Sequence, residues 1–194
     1  MTVASILALA TVIFGFSIWV AFINGVMEAS NFLKNGAYPL HRMTSIYATL
    51  YTFGVPPAIA LGVQVMSALI ACSAIAVACV KIRSSLHVIG ITAVASLYIS
   101  PYSYDYDMTL LGISVAAFLP EISKRAKSLE IVILIILCWL SCGSGVLLNN
   151  LSGGASANPA GTLAMPIYSI ASISLTLLLI MSAKILSRPY YSRE

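Results

Sequence analysis

The residues best suited to chemistry lie in one short segment between two apolar runs. The segment covers residues 100–107 and carries two carboxylates and three tyrosines, namely Asp105, Asp107, Tyr102, Tyr104 and Tyr106. Hydroxyls and carboxylates together suit sugar hydroxyls or a cation, and a carboxylate partly withdrawn from water can act as a general base. The alternative interpretation is an interfacial belt of tyrosines with solvated aspartates.

A second group of polar residues precedes the second apolar run. Glu28, His41 and Arg42 are expected at the level of the lipid headgroups, where Arg and His can meet phosphate. An ordinary interfacial anchor is the alternative interpretation. The sequence therefore offers seven candidates for substrate binding: Tyr102, Tyr104, Asp105, Asp107, His41, Arg42 and Glu28.

The composition predicts a membrane protein that carries these residues. The chain has 194 residues, of which 60% are hydrophobic and 8% charged, and its mean hydropathy is +0.98. A span needs about 20 apolar residues to cross roughly 30 Å of hydrocarbon. We expect an all-α bundle of about six spans, forming a single membrane domain over 1–194, with spans at 3–23, 55–80, 86–100, 108–122, 129–149 and 162–186.

The loop between the first two spans is predicted to form two amphipathic helices at the outer interface. The first covers 24–36, where Asn24, Glu28 and Asn31 recur at helical spacing. The second covers 39–54, because Pro39 suits a first helical turn and Gly54 can end a helix.

Basic residues orient the predicted spans. Of ten Lys and Arg residues, eight follow spans two, four and six: Lys81, Arg83, Lys124, Arg125, Lys127, Lys184, Arg188 and Arg193. Short cytoplasmic loops are enriched in such residues. We therefore expect a multi-pass protein of the plasma (inner) membrane with both termini in the cytoplasm and residues 100–107 outside. The net charge of +4 is spread over separate turns, so we expect no nucleic-acid binding.

Polar residues inside the spans favour helix packing over chemistry. The four cysteines have no metal-like spacing with histidine, and we expect buried thiols and no metal site. Gln64 is the strongly polar residue of the second span. It is predicted to form an interhelical hydrogen bond, with a substrate contact as the alternative.

The sequence around these candidates resembles glycosyltransferase family 87. The resemblance lies in Leu40-His41-Arg42-Met43-Thr44-Ser45, in Gly54 and Gln64, and in residues 100–107 with the apolar run after them. Members are polytopic GT-C-type hexosyltransferases, which take a sugar, typically mannose, from a polyprenyl phosphate. The resemblance covers nearly the whole chain.

The resemblance implies that residues 1–194 correspond to the C-terminal half of a larger family architecture. The family's proposed catalytic aspartate lies in an N-terminal half without a counterpart here, so the catalytic residue is unknown. The implied activity is hexosyl transfer on the outer face of the membrane, by an enzyme that this chain forms only in part. The implied partners are the bilayer, a polyprenyl-phosphate sugar and a second membrane polypeptide. No cofactor is expected, and the use of a divalent metal stays open.

Two other functions compete with hexosyl transfer. One is a non-catalytic membrane module or a small ion- or proton-coupled transporter, and the other is a remnant without activity. Transport predicts acidic residues deep within the spans. The span centres here are apolar apart from Gln64, so the sequence favours the transferase.

Overall fold

The computed structural model describes residues 2–34, 38–151 and 168–189. Of these residues, 84% are helical and none belongs to a β-strand, which confirms the predicted all-α class for the described part of the chain. The chain divides into two compact units at the boundary between Tyr38 and Pro39. Each unit is described by itself.

In the first unit, residues 2–34 form two helices with a sharp bend between them. Helix α1 covers Thr2–Phe14 and α2 covers Ser17–Lys34, and their axes differ in direction by 106°. Gly15 lies at the bend with φ of 75°, a conformation that glycine reaches without steric cost. The indole Nε1 of Trp19 donates to Thr11 Oγ1 across the bend, at 2.9 Å.

This bend changes the predicted first span. The apolar run 3–23 is not one straight helix, because Gly15 interrupts it. The predicted amphipathic helix over 24–36 was expected to continue the first span, and residues 24–34 do continue the helix that begins at Ser17, as the second half of α2. Its last two predicted residues, 35 and 36, lie outside the described part of the chain.

The described residues of the second unit form six α-helices. They are α3 (Ile46–Thr52), α4 (Pro57–Lys81), α5 (Ser85–Ile99), α6 (Thr109–Arg125), α7 (Ser128–Leu151) and α8 (Ala171–Leu186). Two 3-10 turns join them, Leu40–Arg42 before α3 and Asp105–Met108 before α6. The predicted outer helix over 39–54 is thus a 3-10 turn followed by the seven residues of α3.

Among the described residues, two helices are long and apolar enough to cross a membrane. They are α4 and α7, with 25 and 24 residues and mean hydropathies of 2.2 and 2.6. A third span results only if the bent pair α1 and α2 is counted as one. Helices α5 and α8 are apolar but have 15 and 16 residues, or about 22–24 Å of helix at 1.5 Å per residue. The described helices therefore support a membrane protein with two or three candidate spans, and six spans are not confirmed.

Small residues allow close packing inside the second unit. A Cβ atom added to Gly90 of α5 would lie 2.8 Å from Ala117 Cβ of α6. Ala71 and Ala78 of α4 are buried. A buried apolar cluster includes Leu97 of α5, Leu111 of α6, and Leu175 and Ile185 of α8, and Tyr47 of α3 is the largest fully buried side chain among the described residues.

Charged side chains tie three helices together at one end of this unit. Arg125, at the end of α6, donates to the carbonyls of Leu186, the last residue of α8, and of Arg188 just beyond it. It also donates to Glu121 at 3.1 Å. Arg188 in turn pairs with Glu130 in the first turn of α7 at 2.8 Å. Carbonyls at a helix C-terminus lack intrahelical partners, so Arg125 acts as the cap of α8.

We expect Arg125→Gln to destabilise the protein by about 2 kcal/mol, because hydrogen bonds to a charged group are each worth about 1.5–3 kcal/mol. Thermal unfolding in detergent would measure the loss. Arg83→Gln is the control, since it removes the same charge from an exposed side chain. Equal stability of the two variants would contradict the capping role.

Candidate functional site

Two chain segments meet at the other end of the second unit, and the candidate residues lie on them. The N–H of Thr44 donates to the carbonyl of Ser103 at 2.8 Å, and Met43 forms an isolated antiparallel bridge with Tyr104. Met43 and Ser103 are almost fully buried. This backbone pairing places residues 40–45 beside the Tyr/Asp segment, 100–107.

Arg42 and Asp105 form a bidentate ion pair. Arg42 Nε lies 2.9 Å from Asp105 Oδ2, and Nη2 lies 3.0 Å from Oδ1. The Asp105 side chain is 9% exposed and that of Arg42 is 38% exposed. Both carboxylate oxygens are thus occupied, while Arg42 Nη1 has no partner within the described residues. Asp105 orients the guanidinium and is not placed to accept a proton from a substrate.

Asp107 has a structural partner as well. Its Oδ2 accepts the N–H of Tyr104 at 2.9 Å, and its own N–H donates to the carbonyl of Tyr104 at 3.0 Å. This reciprocal arrangement caps the 3-10 turn that leads into α6, as a capping box does for a helix. The carboxylate therefore stabilises the entry to α6.

The tyrosines of the segment form two groups. The rings of Tyr104 and Tyr106 stack with centroids 5.5 Å apart, and Tyr106 is exposed. Tyr102 lies close enough to Tyr47 to act on its ionisation: burial raises the pKa of the Tyr47 phenol, and Tyr51 and Tyr102 raise that pKa further. Tyr47 is therefore a neutral, buried side chain of α3.

His41 is held by α7. Its Nε2 lies 3.1 Å from Asn149 Oδ1, and its side chain is 8% exposed. The turn that carries it packs against Gly145, where an added Cβ would lie 3.0 Å from both His41 O and Arg42 Cα. Sequence reasoning missed Asn149 and Gly145. The run Ser-Cys-Gly-Ser-Gly over 141–145 was the available signal, because small residues permit close approach.

Hydroxyl groups join α3 to the start of α8. Ser169 Oγ donates to the carbonyl of Met43 at 2.7 Å, and Ser172 Oγ donates to Thr49 Oγ1 at 2.6 Å. The N–H of Ser169 also donates to Thr52 Oγ1 at 3.1 Å. These contacts fix α3, and with it the loop before it, onto α8. No sequence pattern pointed to them.

Gln64 of α4 forms the predicted interhelical hydrogen bond, and it does so with two helices, α3 and α5. Its Oε1 accepts the N–H of Tyr47 in α3 at 3.1 Å, and its Nε2 donates to the carbonyl of Tyr98 in α5 at 2.8 Å. The side chain is 2% exposed. The interhelical hydrogen bond is confirmed, and the burial leaves Gln64 no room to contact a substrate.

The remaining candidate, Glu28, belongs to the first unit. It lies in α2, where its side chain is exposed. The described residues contain no group of three His, Cys, Asp or Glu side chains that could hold a metal ion. Within the second unit, the structure thus brings together His41, Arg42 and the Tyr/Asp segment.

Comparison with known proteins gave no relative: no family model, no curated protein and no solved structure matches this chain. The resemblance to glycosyltransferase family 87 therefore stays an expectation from the sequence.

We expect Gly145→Ala to displace the turn that holds His41 and Arg42, because the new methyl group meets backbone atoms that cannot rotate away. Overpacking of this kind costs about 1–3 kcal/mol, measurable as a lower free energy of unfolding. Gly143→Ala on the same helix is the matched control, since its methyl would meet only Trp139 at 3.6 Å. If both variants unfold at the wild-type midpoint, the inferred close contact between Gly145 and the turn is wrong.

Proposed function

We propose that this chain binds the phosphate group of a polyprenyl-phosphate sugar on the outer face of the plasma membrane and takes part in hexosyl transfer, with mannose as the expected sugar. The observation that carries the proposal is the geometry of Arg42. Two of its nitrogens are fixed by Asp105, while Nη1 has no partner among the described residues and can donate to a ligand.

Arginine in this state is well suited to phosphate. The guanidinium is planar, always charged and less strongly hydrated than an ammonium group, and it forms charge-assisted hydrogen bonds with phosphate oxygens. The bidentate bond to Asp105 removes most of the rotational freedom of Arg42, so less entropy is lost when a ligand binds. A side chain that is 38% exposed remains reachable from the interface.

The distribution of charge supports the proposed orientation. Lys81 ends α4, and Lys124 and Arg125 lie at the end of α6. These helix ends lie at the same end of the unit as the ion pair of Glu130 with Arg188. The site lies near the other end of α7, about 28 Å from Glu130 at 1.5 Å per residue. The positive-inside rule then favours a cytoplasmic basic end and an outward-facing site. We also propose that both termini of the chain lie in the cytoplasm.

The positions of the acidic residues argue against an ion pathway. Within the described chain they lie in loops or towards helix ends: Glu28, Asp105, Asp107, Glu121 and Glu130. Ion- and proton-coupled transport uses ionisable groups along the spans. A lipid-linked substrate at the interface therefore fits these positions better than a transported ion does.

A non-catalytic membrane module is the second candidate. It is favoured by the internal partners of Asp105 and Asp107, which leave neither carboxylate placed as a base. For either function, we propose that a second membrane polypeptide supplies the missing N-terminal half. In the family that the sequence resembles, that half carries the proposed catalytic aspartate.

Binding of a polyprenyl phosphate to the purified chain in lipid nanodiscs tests the role of Arg42. The variant is Arg42→Gln combined with Asp105→Asn, so that no unpaired carboxylate remains. We expect a Kd at least tenfold higher, because a charged hydrogen bond is worth about 1.5–3 kcal/mol and 1.4 kcal/mol is tenfold in Kd.

Two controls make this measurement specific. Arg83→Gln removes a charge at the basic end and should leave the Kd unchanged, and a polyprenol without phosphate should bind weakly to every variant. Equal affinity of the double variant and the wild type would refute phosphate binding at Arg42.

A further inference from the structure

We propose that a groove between α3 and α8 holds the hydrocarbon chain of the lipid whose phosphate binds Arg42. This inference rests on the proposed function, which places the phosphate of a polyprenyl phosphate and leaves its chain unplaced. The groove has a volume of about 430 Å³. Its apolar lining consists of Ile46 and Leu50 of α3, Phe53 just after that helix, and Ile173 and Leu177 of α8.

Three side chains with hydroxyls also line the groove, namely Thr49, Ser172 and Thr176, and each hydroxyl is already bonded within the protein. Ser172 Oγ donates to Thr49 Oγ1 at 2.6 Å, and Thr176 Oγ1 donates to the carbonyl of Ser172 at 2.7 Å. The phenol oxygen of Tyr98 lies 3.0 Å from Thr176 Oγ1 as well. A sugar or a peptide in the groove would lose its hydrogen bonds to water without replacement, so the lining favours a hydrocarbon.

The groove has a buried floor and an exposed rim. Thr49 and Ser172 are buried, whereas Phe53, Ile173 and Leu177 are exposed. In a bilayer an apolar chain gains little by leaving lipid, so its association with protein depends on close packing. A groove contacts a chain on more than one side, and the convex face of a single helix contacts it on one side only. A chain at this level therefore packs better in the groove than on a neighbouring helix face.

Both walls of the groove begin beside the turn that carries Arg42. Ile46 follows Arg42 by four residues, so their Cα atoms are no more than about 14 Å apart. On the other wall, Ser169 lies two residues before α8, which begins at Ala171, and its Oγ donates to the carbonyl of Met43 at 2.7 Å. A lipid whose phosphate contacts Arg42 can thus reach the groove with the first part of its chain.

The number of chains on each phosphate distinguishes a polyprenyl phosphate from the phospholipids of the bilayer. A polyprenyl phosphate carries one chain, and a phospholipid carries two through its glycerol. The site pairs the guanidinium of Arg42 with a groove whose volume is in the lower part of the range for small-molecule pockets. One phosphate partner and one groove match the lipid that has a single chain.

Photo-crosslinking locates the chain directly. The probe is a polyprenyl phosphate with a diazirine near the phosphate end of its chain, added to the wild-type protein in phosphatidylcholine nanodiscs, and mass spectrometry identifies the labelled peptides. We expect labels within 46–53 and 172–177, which an excess of unmodified polyprenyl phosphate removes. Labels confined to other helices overturn the inference. Equal competition by phosphatidic acid also overturns it, because the occupant is then a bilayer phospholipid.

A variant that fills the groove supplies the second measurement. Ile173→Trp places a larger side chain in the groove, and the labelling of residues 46–53 should be lost. Ile180→Trp is the matched control, because Ile180 is an exposed isoleucine of the same helix that lies outside the groove lining. It should retain the wild-type labelling, and thermal unfolding in detergent checks that both variants are folded. Equal labelling of two folded variants would place the chain elsewhere.

The outcomes separate this inference from the proposed function. A wild type that does not bind polyprenyl phosphate overturns the proposed function, and so does a Kd that is unchanged by Arg42→Gln combined with Asp105→Asn. In that double variant the labelling of the groove should fall together with the affinity. Binding that depends on Arg42 while the labels lie outside the groove overturns the inference alone and leaves phosphate binding intact.

Discussion

The ion pair between Arg42 and Asp105 is the interaction on which one end of the second unit, the end that carries the candidate site, depends. It joins side chains that are 63 residues apart, beside a backbone pairing of Thr44 with Ser103. A carboxylate that is 9% exposed must have a partner, because the loss of one member of a buried pair leaves an uncompensated charge. The pair therefore fixes the loop geometry and the direction of the guanidinium together.

The polar contacts around this pair follow the same constraint. In an apolar surrounding each unsatisfied polar group costs several kcal/mol, and the amide of Gln64 and the hydroxyls of Ser169 and Ser172 meet this requirement between helices. These hydrogen bonds join α3 directly to α4 and α8, and through Gln64 of α4 to α5. A seven-residue helix that would be unstable alone is thereby held as a platform for the turn that carries His41 and Arg42.

Much of the secondary structure was predictable from the sequence. The apolar runs 86–100 and 129–149 correspond to α5 and α7 within two residues at each end, because long apolar runs in lipid satisfy their backbone only as helices. The bend at Gly15 was not predicted, since an isolated glycine is tolerated within a helix. For the site, the sequence indicated His41, Arg42 and the Tyr/Asp segment but gave no sign of Asn149, which lies 108 residues away from His41.

The amino-acid sequence by itself determined that the described chain is helical and apolar and that its basic residues concentrate at one set of helix ends, because these properties follow from composition and local order. The tertiary structure decided what the carboxylates do. Asp105 and Asp107 are chemically alike and two residues apart, yet one orients an arginine and the other caps a turn. Their roles depend on which donors the folded chain brings within hydrogen-bond distance, and that is not a local property of the sequence.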